Sequence, residues 1–333
     1  MILHVMNFYE IDVDYMVGAQ LEGFDVMVKL TEENDFIVLE GDEYLSSPID
    51  KRPKFHLYKP NIALISGISW DHINVFPTYE IYKKQFEIFV ESIVEGGSVT
   101  YNLDDIDTKE IVNNTNRSIR KFDYSMPDFN IRDGVTYLQT IEGELPLEIF
   151  GRHNLSNLMG AKWICQQMGV DEDDFFQAIS CFKGASNRLE KVYSKNNSFI
   201  FKDFAHSPSK VEATVNAIKD QFDKHKIIAC FELHTFSSLN SNFLNEYKDT
   251  LNNADIPIVY FSKKTLESKK MNNIEFSDIV KAFNNNGLIV FDDSSKFKDY
   301  LNSLNFKNSV LLMMSSGNFG NIDYNDLQKL LLN

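Results

Sequence analysis

The chain has 333 residues, of which 43% are hydrophobic and 24% are charged. A chain of this length and composition can bury a full core, which excludes disorder as its main state and indicates two domains of roughly 150 residues each. The net charge of −15 excludes general binding to nucleic acid or to an anionic membrane, because both need an excess of cations.

The cysteines and the N-terminal residues indicate the cellular compartment. Cys165, Cys181 and Cys230 are too few and too scattered for a disulfide framework or a Cys-x-x-Cys metal site, so we expect buried, reduced thiols. No apolar run reaches the ~20 residues that a membrane-spanning helix needs. The opening MILHVMNFYEID lacks the features of a secretory signal peptide. A cytoplasmic protein is expected.

The first half of the chain alternates short apolar runs with amphipathic stretches. Its predicted strands are 36–39, 62–66, 98–102, 118–122 and 136–140. Its predicted helices are 78–93, 155–168 and 171–180. The first two are short apolar runs bounded by polar residues, which is typical of buried parallel strands.

The second half shows a more regular alternation. Its predicted strands are 199–204, 227–231, 256–261, 288–291 and 310–314. Its predicted helices are 208–223, 241–252, 276–285, 295–303 and 323–332. This order predicts a doubly wound α/β domain. We place the domain boundary so that one domain covers 1–189 and the other 190–333.

Polar clusters directly follow the first two predicted strands. Glu40, Asp42 and Glu43 come after the first, and Asp71 and His72 come soon after the second. The carboxyl ends of parallel strands are where α/β proteins bind ligands. If the strands are neighbours, Glu40 and His72 converge on a divalent-metal site; a solvated acidic turn and a structural histidine are the alternatives.

A third cluster opens the helix after residue 150 with the sequence GRHNLSN. Asn154 and Asn157 are three residues apart, so they share a helix face. Paired amides present a donor and an acceptor together, which suits the edge of an adenine. The alternative is that Asn154 merely caps the helix.

The predicted domain junction and the strand ends beyond it carry further polar residues. Arg188, in the loop KGASNRLE, could reach a phosphate or could be an ordinary linker residue. Asp203 and His206 follow the first strand of the second domain, before Pro208, which suits a first helical turn. The segments beginning at Glu232 and Ser315 are polar loops after buried strands. We expect these features to gather at one edge of the sheet.

Several common motifs are absent. The closest approach to the phosphate-binding Gly-x-x-x-x-Gly-Lys-Ser/Thr runs from Gly18 to Gly23 and is followed by Phe24 instead of lysine. Neither Gly-x-Gly-x-x-Gly, His-Glu-x-x-His nor Gly-x-Ser-x-Gly occurs.

Taken in order, the segments EGDEY, DH, GRHNLSN, FKGASNRLE, KDFAHSP and ELHTFSSL resemble the Mur ligase family, the ATP-dependent amide ligases of peptidoglycan assembly. The resemblance implies an α/β central domain of the P-loop ATPase type over 1–189 and a Rossmann-like C-terminal domain over 190–333. It also implies a role in cell-wall biogenesis, cell shape and cell division.

The resemblance assigns site residues. It implies that Glu40 and His72 bind Mg²⁺. The residues implied to bind ATP are His153, Asn154 and Asn157 at the adenine, Arg188 at the phosphates and Asp203 at the ribose. His206 and Arg188 lie nearest the reacting groups, so they are the implied catalytic residues. In the family, a substrate carboxylate is phosphorylated by ATP, and an amine then attacks the acyl phosphate.

The segment EGDEYLSSPIDKRPKFHLYKP most resembles the recycling branch of the family, which joins L-Ala-γ-D-Glu-meso-diaminopimelate to UDP-N-acetylmuramate. The branch that adds L-alanine is the alternative, and a folylpolyglutamate synthase is a weaker one. The family's P-loop precedes the helix with which this sequence opens. We therefore expect an N-terminally truncated central domain with little or no ligase activity, or a non-catalytic nucleotide-binding remnant.

Overall fold

The structure is a computed structural model that describes residues 1–18, 24 and 26–331. The fold is mixed α/β with parallel sheets, as predicted. The chain divides into two compact units, 1–184 and 185–333. Residues 19–23, within the Gly18–Gly23 stretch, lie outside the described residues.

The first unit contains three small sheets and five α-helices within its described residues. The helices are α1 (Ile2–Phe8), α2 (Tyr79–Ser92), α3 (Ile106–Asn114), α4 (Arg152–Gln167) and α5 (Glu172–Ser180). The strands are β1 (Asp14–Met16), β2 (Val28–Lys29), β3 (Ile37–Leu39), β4 (Ile62–Ile65), β5 (Ser98–Asn102), β6 (Arg120–Tyr124), β7 (Phe129–Arg132), β8 (Val135–Thr140) and β9 (Gly143–Leu147). A short 3₁₀-helix covers Lys54–Leu57.

Two of these sheets are built on parallel pairs. In the order β2-β1-β3, β1 and β3 are parallel and β2 is antiparallel to β1. In the order β4-β5-β6, all three strands are parallel. The third sheet, β7-β8-β9, is an antiparallel meander. Glu40 follows β3, and His72 lies beyond β4, so each parallel sheet brings one polar cluster to a strand's carboxyl end.

Helix α4 packs against both parallel sheets. Its Leu155, Leu158 and Ala161 belong to the same core as Tyr15 of β1, with Val38 of β3 packed against that core. Toward the other sheet, Trp163 stacks on Phe122 of β6, with 5.3 Å between ring centroids. Gly160 faces Leu64 and Tyr124 so closely that a Cβ would lie 3.0 Å from each side chain. The helix therefore contributes side chains to the packing of both sheets.

The second unit is built around one six-stranded sheet. Its helices are α6 (Pro208–Gln221), α7 (Lys263–Ser268), α8 (Phe276–Ala282), α9 (Ser294–Ser303) and α10 (Tyr324–Leu327). Its strands are β10 (Glu190–Lys195), β11 (Ser198–Asp203), β12 (Lys226–Leu233), β13 (Ile256–Phe261), β14 (Ile289–Phe291) and β15 (Ser309–Met314). Short 3₁₀-helices cover Leu244–Tyr247 and Gln328–Leu331.

The sheet order is β10-β11-β15-β12-β13-β14, and only β10 is antiparallel to its neighbour. Cys230 of β12 shares a core with Phe297 of α9. The adjacent Phe231 points to the opposite face, where its ring lies 5.2 Å from that of Tyr247 and 6.3 Å from that of Phe283. Helices thus cover both faces, and the doubly wound prediction is confirmed.

Some predicted elements were wrong or missing. The predicted helix 241–252 is mostly turns around the 3₁₀-helix Leu244–Tyr247, because asparagine side chains compete with helical bonds; Asn242 N, for example, donates to Asn240 Oδ1. Elements not predicted include α3, β1, β2, β7, β9, β10 and α7. Cys165 and Cys230 are buried as expected, whereas Cys181 is exposed. Within the described residues, no helix is both long and apolar enough to cross a bilayer.

Candidate functional site

Glu40 stands at the carboxyl end of β3 and is exposed. Its backbone N–H donates to Met16 O of the neighbouring β1 at 2.9 Å. Its Oε2 accepts the backbone N–H of Gly18 at 2.6 Å. The carboxylate is therefore held close to the chain that leaves β1.

Glu43, three residues further on, makes the contact with His72. Its Oε1 lies 3.4 Å from His72 Nε2 and accepts a hydrogen bond from Tyr82 Oη at 3.2 Å. Burial of Tyr82, followed by the charge of Glu43, raises the pKa of the phenol, so Tyr82 remains a hydrogen-bond donor. One oxygen of Glu43, Oε1, therefore contacts both the neutral phenol of Tyr82 and the imidazole of His72.

His72 adopts a left-handed backbone conformation with φ 55°, which is uncommon for a residue other than glycine. Its backbone N–H donates to Oδ1 of the buried Asp71 at 2.7 Å. The Tyr44 ring meets the imidazole edge-on at 4.9 Å, and Asn74 donates to Tyr44 Oη. The sequence prediction paired His72 with Glu40, and the structure places Glu43 and Asp71 beside it.

The donor set at this edge is suited to a hard divalent cation, because it consists of carboxylates and one imidazole. No group of three or more His, Cys, Asp and Glu side chains in the described part of the chain is arranged to hold a metal ion. Mg²⁺ commonly takes only one or two protein carboxylates and completes its shell with water and phosphate. Glu40 and His72 therefore remain chemically compatible with Mg²⁺.

The amide cluster lies in the first two turns of α4. Gly151 is the N-cap, with φ 90°, and Arg152 is the first helical residue. Asn154 is therefore inside the helix, and the N-cap alternative for it is wrong. Asn154 Nδ2 donates to Phe150 O at 2.9 Å, which leaves the side-chain oxygen as the acceptor. Asn157, one turn later, is exposed, and His153 is half-buried.

In the second unit, Asp203 ends β11 and is 7% exposed. Its Oδ2 accepts the N–H of Leu189 at 2.7 Å, and its Oδ1 accepts the N–H of Ala205 at 2.6 Å. Thr214 Oγ1 donates to Oδ1 at 3.3 Å. This carboxylate therefore accepts hydrogen bonds from three donors of its own chain.

Arg188 is exposed and lies beside the end of β11. Its guanidinium carbon is 5.3 Å from the centre of the Phe204 ring. The imidazole of His206 approaches the same ring edge-on at 5.2 Å. His206 precedes α6, where Ser207 is the N-cap and Pro208 occupies the first turn, as predicted. Arg188, Asp203 and His206 therefore gather at one strand end.

The loops after β12 and β15 meet this strand end, as expected. Ser315 N donates to Asp203 O at 2.9 Å, and Ser315 Oγ donates to the buried carboxylate of Glu232. Phe319 N donates to Glu232 at 2.8 Å, and His234 Nδ1 lies 3.6 Å from that carboxylate. Sequence reasoning identified these loops as polar but assigned none of their residues to the site.

Comparison with known proteins identifies the first unit. Residues 21–165 match the family model of the Mur ligase middle domain. The UDP-N-acetylmuramate–L-alanine ligase of Caldicellulosiruptor bescii is 32% identical over 237 residues, which are 68% of this chain and 50% of that protein. The chain thus spans half the length of this relative.

Solved structures show the same fold. A murein peptide ligase from Psychrobacter arcticus superposes with a TM-score of 0.67 at 18% identity, covering 99% of this chain and 74% of the other. MurF ligase from Thermotoga maritima, in complex with ADP, gives 0.70 at 16% identity, covering 99% and 75%. Members of the Mur ligase family are ATP-dependent ligases of peptidoglycan synthesis. Through its middle domain, this chain belongs to the Mur ligase family.

Proposed function

We propose that the chain serves ATP-dependent amide ligation to UDP-N-acetylmuramate in peptidoglycan synthesis. The observation that carries this proposal is the match of residues 21–165 to the Mur ligase middle domain. That segment contains five of the residues that the sequence assigned to the site: Glu40, His72, His153, Asn154 and Asn157. The remaining assignments lie in the second unit.

The proposed nucleotide contacts fall in both units. In the first, Asn154 offers an acceptor and Asn157 an exposed amide on one helix face, which supports recognition of the adenine edge, with His153 beside them. In the second, Arg188 supplies an exposed guanidinium for phosphate, because its planar fork matches phosphate oxygens. Asp203 and His206, the other residues proposed for the nucleotide site, are also in the second unit.

Mg²⁺ is the proposed metal, with Glu40 and His72 as the residues that would hold it. When bound, it would supply positive charge against the phosphates of ATP. The carboxylates of Glu43 and Asp71 flank the imidazole, 3.4 Å from its Nε2 and 3.9 Å from its Nδ1. The chain's own contribution to the chemistry is alignment of the substrate carboxylate and amine and neutralisation of charge by Arg188.

L-Alanine is the acceptor that we favour. The Caldicellulosiruptor bescii relative, at 32% identity, is named for that amino acid. The tripeptide L-Ala-γ-D-Glu-meso-diaminopimelate is the second candidate, supported by the segment DKRPKF. That segment is an ordered loop, in which Arg52 pairs with Asp50 at 2.7 Å and Lys54 with Asp42 at 2.5 Å.

Nucleotide binding by this chain tests the proposal most directly. Calorimetric titration with ATP in the presence of Mg²⁺ should show saturable binding that weakens when the metal is chelated. Asn157→Ala should lower the affinity for ATP about five- to tenfold, since one hydrogen bond is lost, and should reduce the preference for ATP over GTP. Asn113→Ala, an exposed helical asparagine on α3, is the matched control.

The two candidate acceptors are distinguished by the rate of ADP release, measured with UDP-N-acetylmuramate and either L-alanine or the tripeptide. Turnover is expected to be low, because the sequence contains no Gly-x-x-x-x-Gly-Lys-Ser/Thr motif. Binding of ATP without any coupling would favour the non-catalytic alternative. Absence of ATP binding would contradict the proposed function.

A further inference from the structure

We propose that His234 is the catalytic base that takes a proton from the acceptor amine, and that Glu232 is the positioning residue that orients its imidazole. The inference rests on the proposed function and deepens it, because it concerns the attack of the amine on the acyl phosphate. It is carried by the burial of Glu232, the orientation of His234, the close fit of Gly317 and the place of all three in the sheet.

Glu232 is a buried carboxylate near the carboxyl end of β12. The residue is 2% exposed, and its Oε2 accepts the N–H of Phe319 at 2.8 Å and the hydroxyl of Ser315. A buried carboxylate is costly unless it is hydrogen-bonded or paired. In the described part of the chain, His234 is the one basic side chain that reaches it. The carboxylate is therefore placed to act on the imidazole.

The His234 ring turns one nitrogen toward this carboxylate and the other toward solvent. Its Nδ1 lies 3.6 Å from Glu232 Oε1, is buried and, among the residues described, has no hydrogen-bond partner. The side chain is nevertheless 33% exposed, and its accessible side carries Nε2. A carboxylate beside Nδ1 favours a proton there, which leaves Nε2 bare to accept another. Contacts of this kind are often long until substrate binds.

Gly317 packs against the imidazole and the carboxylate together. A Cβ at this position would lie 2.6 Å from His234 Nδ1 and 2.8 Å from its Cγ. Gly317 N also donates at 2.6 Å to Ser315 Oγ, the hydroxyl that itself donates to Glu232. The loop after β15 thus limits how far the ring can turn away from Glu232.

The pair lies at the sheet edge where Arg188 also lies. The chain returns from β14 as β15, between β11 and β12, and a reversal of strand order is where doubly wound sheets bind ligands. Asp203 and Phe231 both pair with Met314 of β15. Glu232 follows Phe231, so it lies about 10 Å from the end of β11 across two strand spacings. One substrate can span this distance.

The chemistry needs a base because the acceptor amine is an ammonium near neutral pH. In the proposed step, His234 Nε2 takes one proton, and the nitrogen lone pair forms the amide C–N bond at the carbonyl carbon. The C–O bond to phosphate breaks, and the phosphate leaves with its electron pair and takes the second proton from nitrogen. The proton on Nε2 then passes to solvent from the exposed side of the ring.

Two amines separate this role from formation of the acyl phosphate. Hydroxylamine is mostly unprotonated at neutral pH, so it traps the acyl phosphate as a hydroxamate without a base. With ATP and UDP-N-acetylmuramate, His234→Gln should slow coupling to L-alanine about a hundredfold and leave hydroxamate formation within about twofold of the parent chain. Raising the pH from 7 to 9 should reduce the deficit with L-alanine, because more of the amine is then unprotonated.

Glu232→Gln tests the positioning role. It should slow coupling to L-alanine about tenfold, with hydroxamate formation unchanged, and should have little further effect in the His234→Gln background. His225→Gln is the matched control, because it removes an imidazole directly before β12, at the opposite end of the same strand. We expect both rates to be unchanged in this control.

The two rates also distinguish the possible failures. Equal losses with both amines in His234→Gln, or unchanged coupling to L-alanine, would overturn the proposal. A parent chain that forms hydroxamate but no amide would overturn it as well, while leaving acyl phosphate formation intact. A parent chain that forms neither product contradicts the proposed function, and the role of the base falls with it.

The orientation of the imidazole can be measured without turnover. Two-bond ¹H–¹⁵N correlation NMR of the ligand-free chain at pH 8, with the His234 signals assigned by their loss in His234→Gln, shows which ring nitrogen carries the hydrogen. We expect it on Nδ1, and we expect Glu232→Gln to raise the share of the other tautomer. A hydrogen mainly on Nε2 in the parent chain would overturn the proposal, because that nitrogen could then accept no proton.

Discussion

Gly317 shows how closely the second unit's strand ends are packed. A Cβ at this position would lie 2.6 Å from His234 Nδ1 and 2.9 Å from Glu232 Oε2. Gly317 N also donates to Ser315 Oγ at 2.6 Å, so the loop is held against the same side chains. Only glycine allows this approach, because the groups opposite are buried or already bonded.

The change Gly317→Ala should therefore destabilise the chain by about 1–3 kcal/mol, as overpacking does elsewhere. Urea unfolding followed by circular dichroism measures the difference. Gly287→Ala is the control in the same unit, because its Cβ would meet Asn285 Oδ1 only at 3.4 Å. Equal stability of the two variants would show that the loop relaxes at no cost.

At the same scale, the sequence predicted which residues follow the strands better than it predicted their contacts. The sequence pattern predicts where strands end, so Glu40, His72, Asp203 and His206 were placed at the carboxyl ends of strands. The pattern does not predict which of the three acids after β3 contacts His72, because that depends on how the loop turns beyond Gly41. The same applies to Phe204, whose ring would count as ordinary core without the contact to Arg188.

Among elements, α2 and α3 are joined by a polar network. Asp107 of α3 accepts a hydrogen bond from Lys83 of α2 at 2.6 Å and another from Tyr79. The hydrogen bond from Lys83, and then that from Tyr79, holds the pKa of Asp107 below its ordinary value of 3.8. The folded state therefore favours the ionised carboxylate, and this contribution to stability is present above pH 3.8 and lost as the pH falls through the folded pKa.

The change Asp107→Asn should lower stability at pH 7 by about 1 kcal/mol, and the difference from the parent chain should shrink as the pH is lowered below 4. Thermal unfolding at a series of pH values from 7 to 3 checks this. Asp223→Asn removes an exposed carboxylate after α6 and serves as the control. A difference that stays constant with pH would rule out the ionised network as its cause.

Element prediction worked where hydrophobic pattern and local propensity agree. The first and last residues of β5 and β13 were predicted correctly, because each strand is a short run rich in β-branched and aromatic residues. Helix α3 was missed because its polar sequence resembles a turn-rich connection. Its signal is Asp105, the N-cap whose side chain accepts Thr108 N at 2.8 Å. β1 and β2 have three and two residues and carry almost no pattern.

On the scale of the whole molecule, the two units have separate cores. The second unit surrounds one six-stranded sheet with helices on both faces, whereas the first distributes its core over three smaller sheets. Both tryptophans, Trp70 and Trp163, lie in the first unit. Tryptophan fluorescence therefore reports on the first unit, while circular dichroism reports on both.

We expect residues 185–333, expressed alone, to unfold in urea as a single cooperative transition, because a core of this size suffices for independent folding. Circular dichroism of the fragment gives its midpoint. In the intact chain, the same midpoint should be visible by circular dichroism and absent from the tryptophan signal. A fragment that melts without a cooperative transition would show that the second unit needs the first.

Helix α4 links the proposed recognition of adenine to the packing of the first unit. The helix carries Asn154 and Asn157 at its start, and Gly160, one turn further, fits so tightly against Leu64 and Tyr124 that α4 has little freedom to rotate. A ligand that shifts the two amides should therefore also disturb the contact of α4 with the β4-β5-β6 sheet, and a substitution that shifts this sheet should displace the amides. Mutations that alter nucleotide affinity should therefore be found within this sheet, at positions remote from the bound nucleotide.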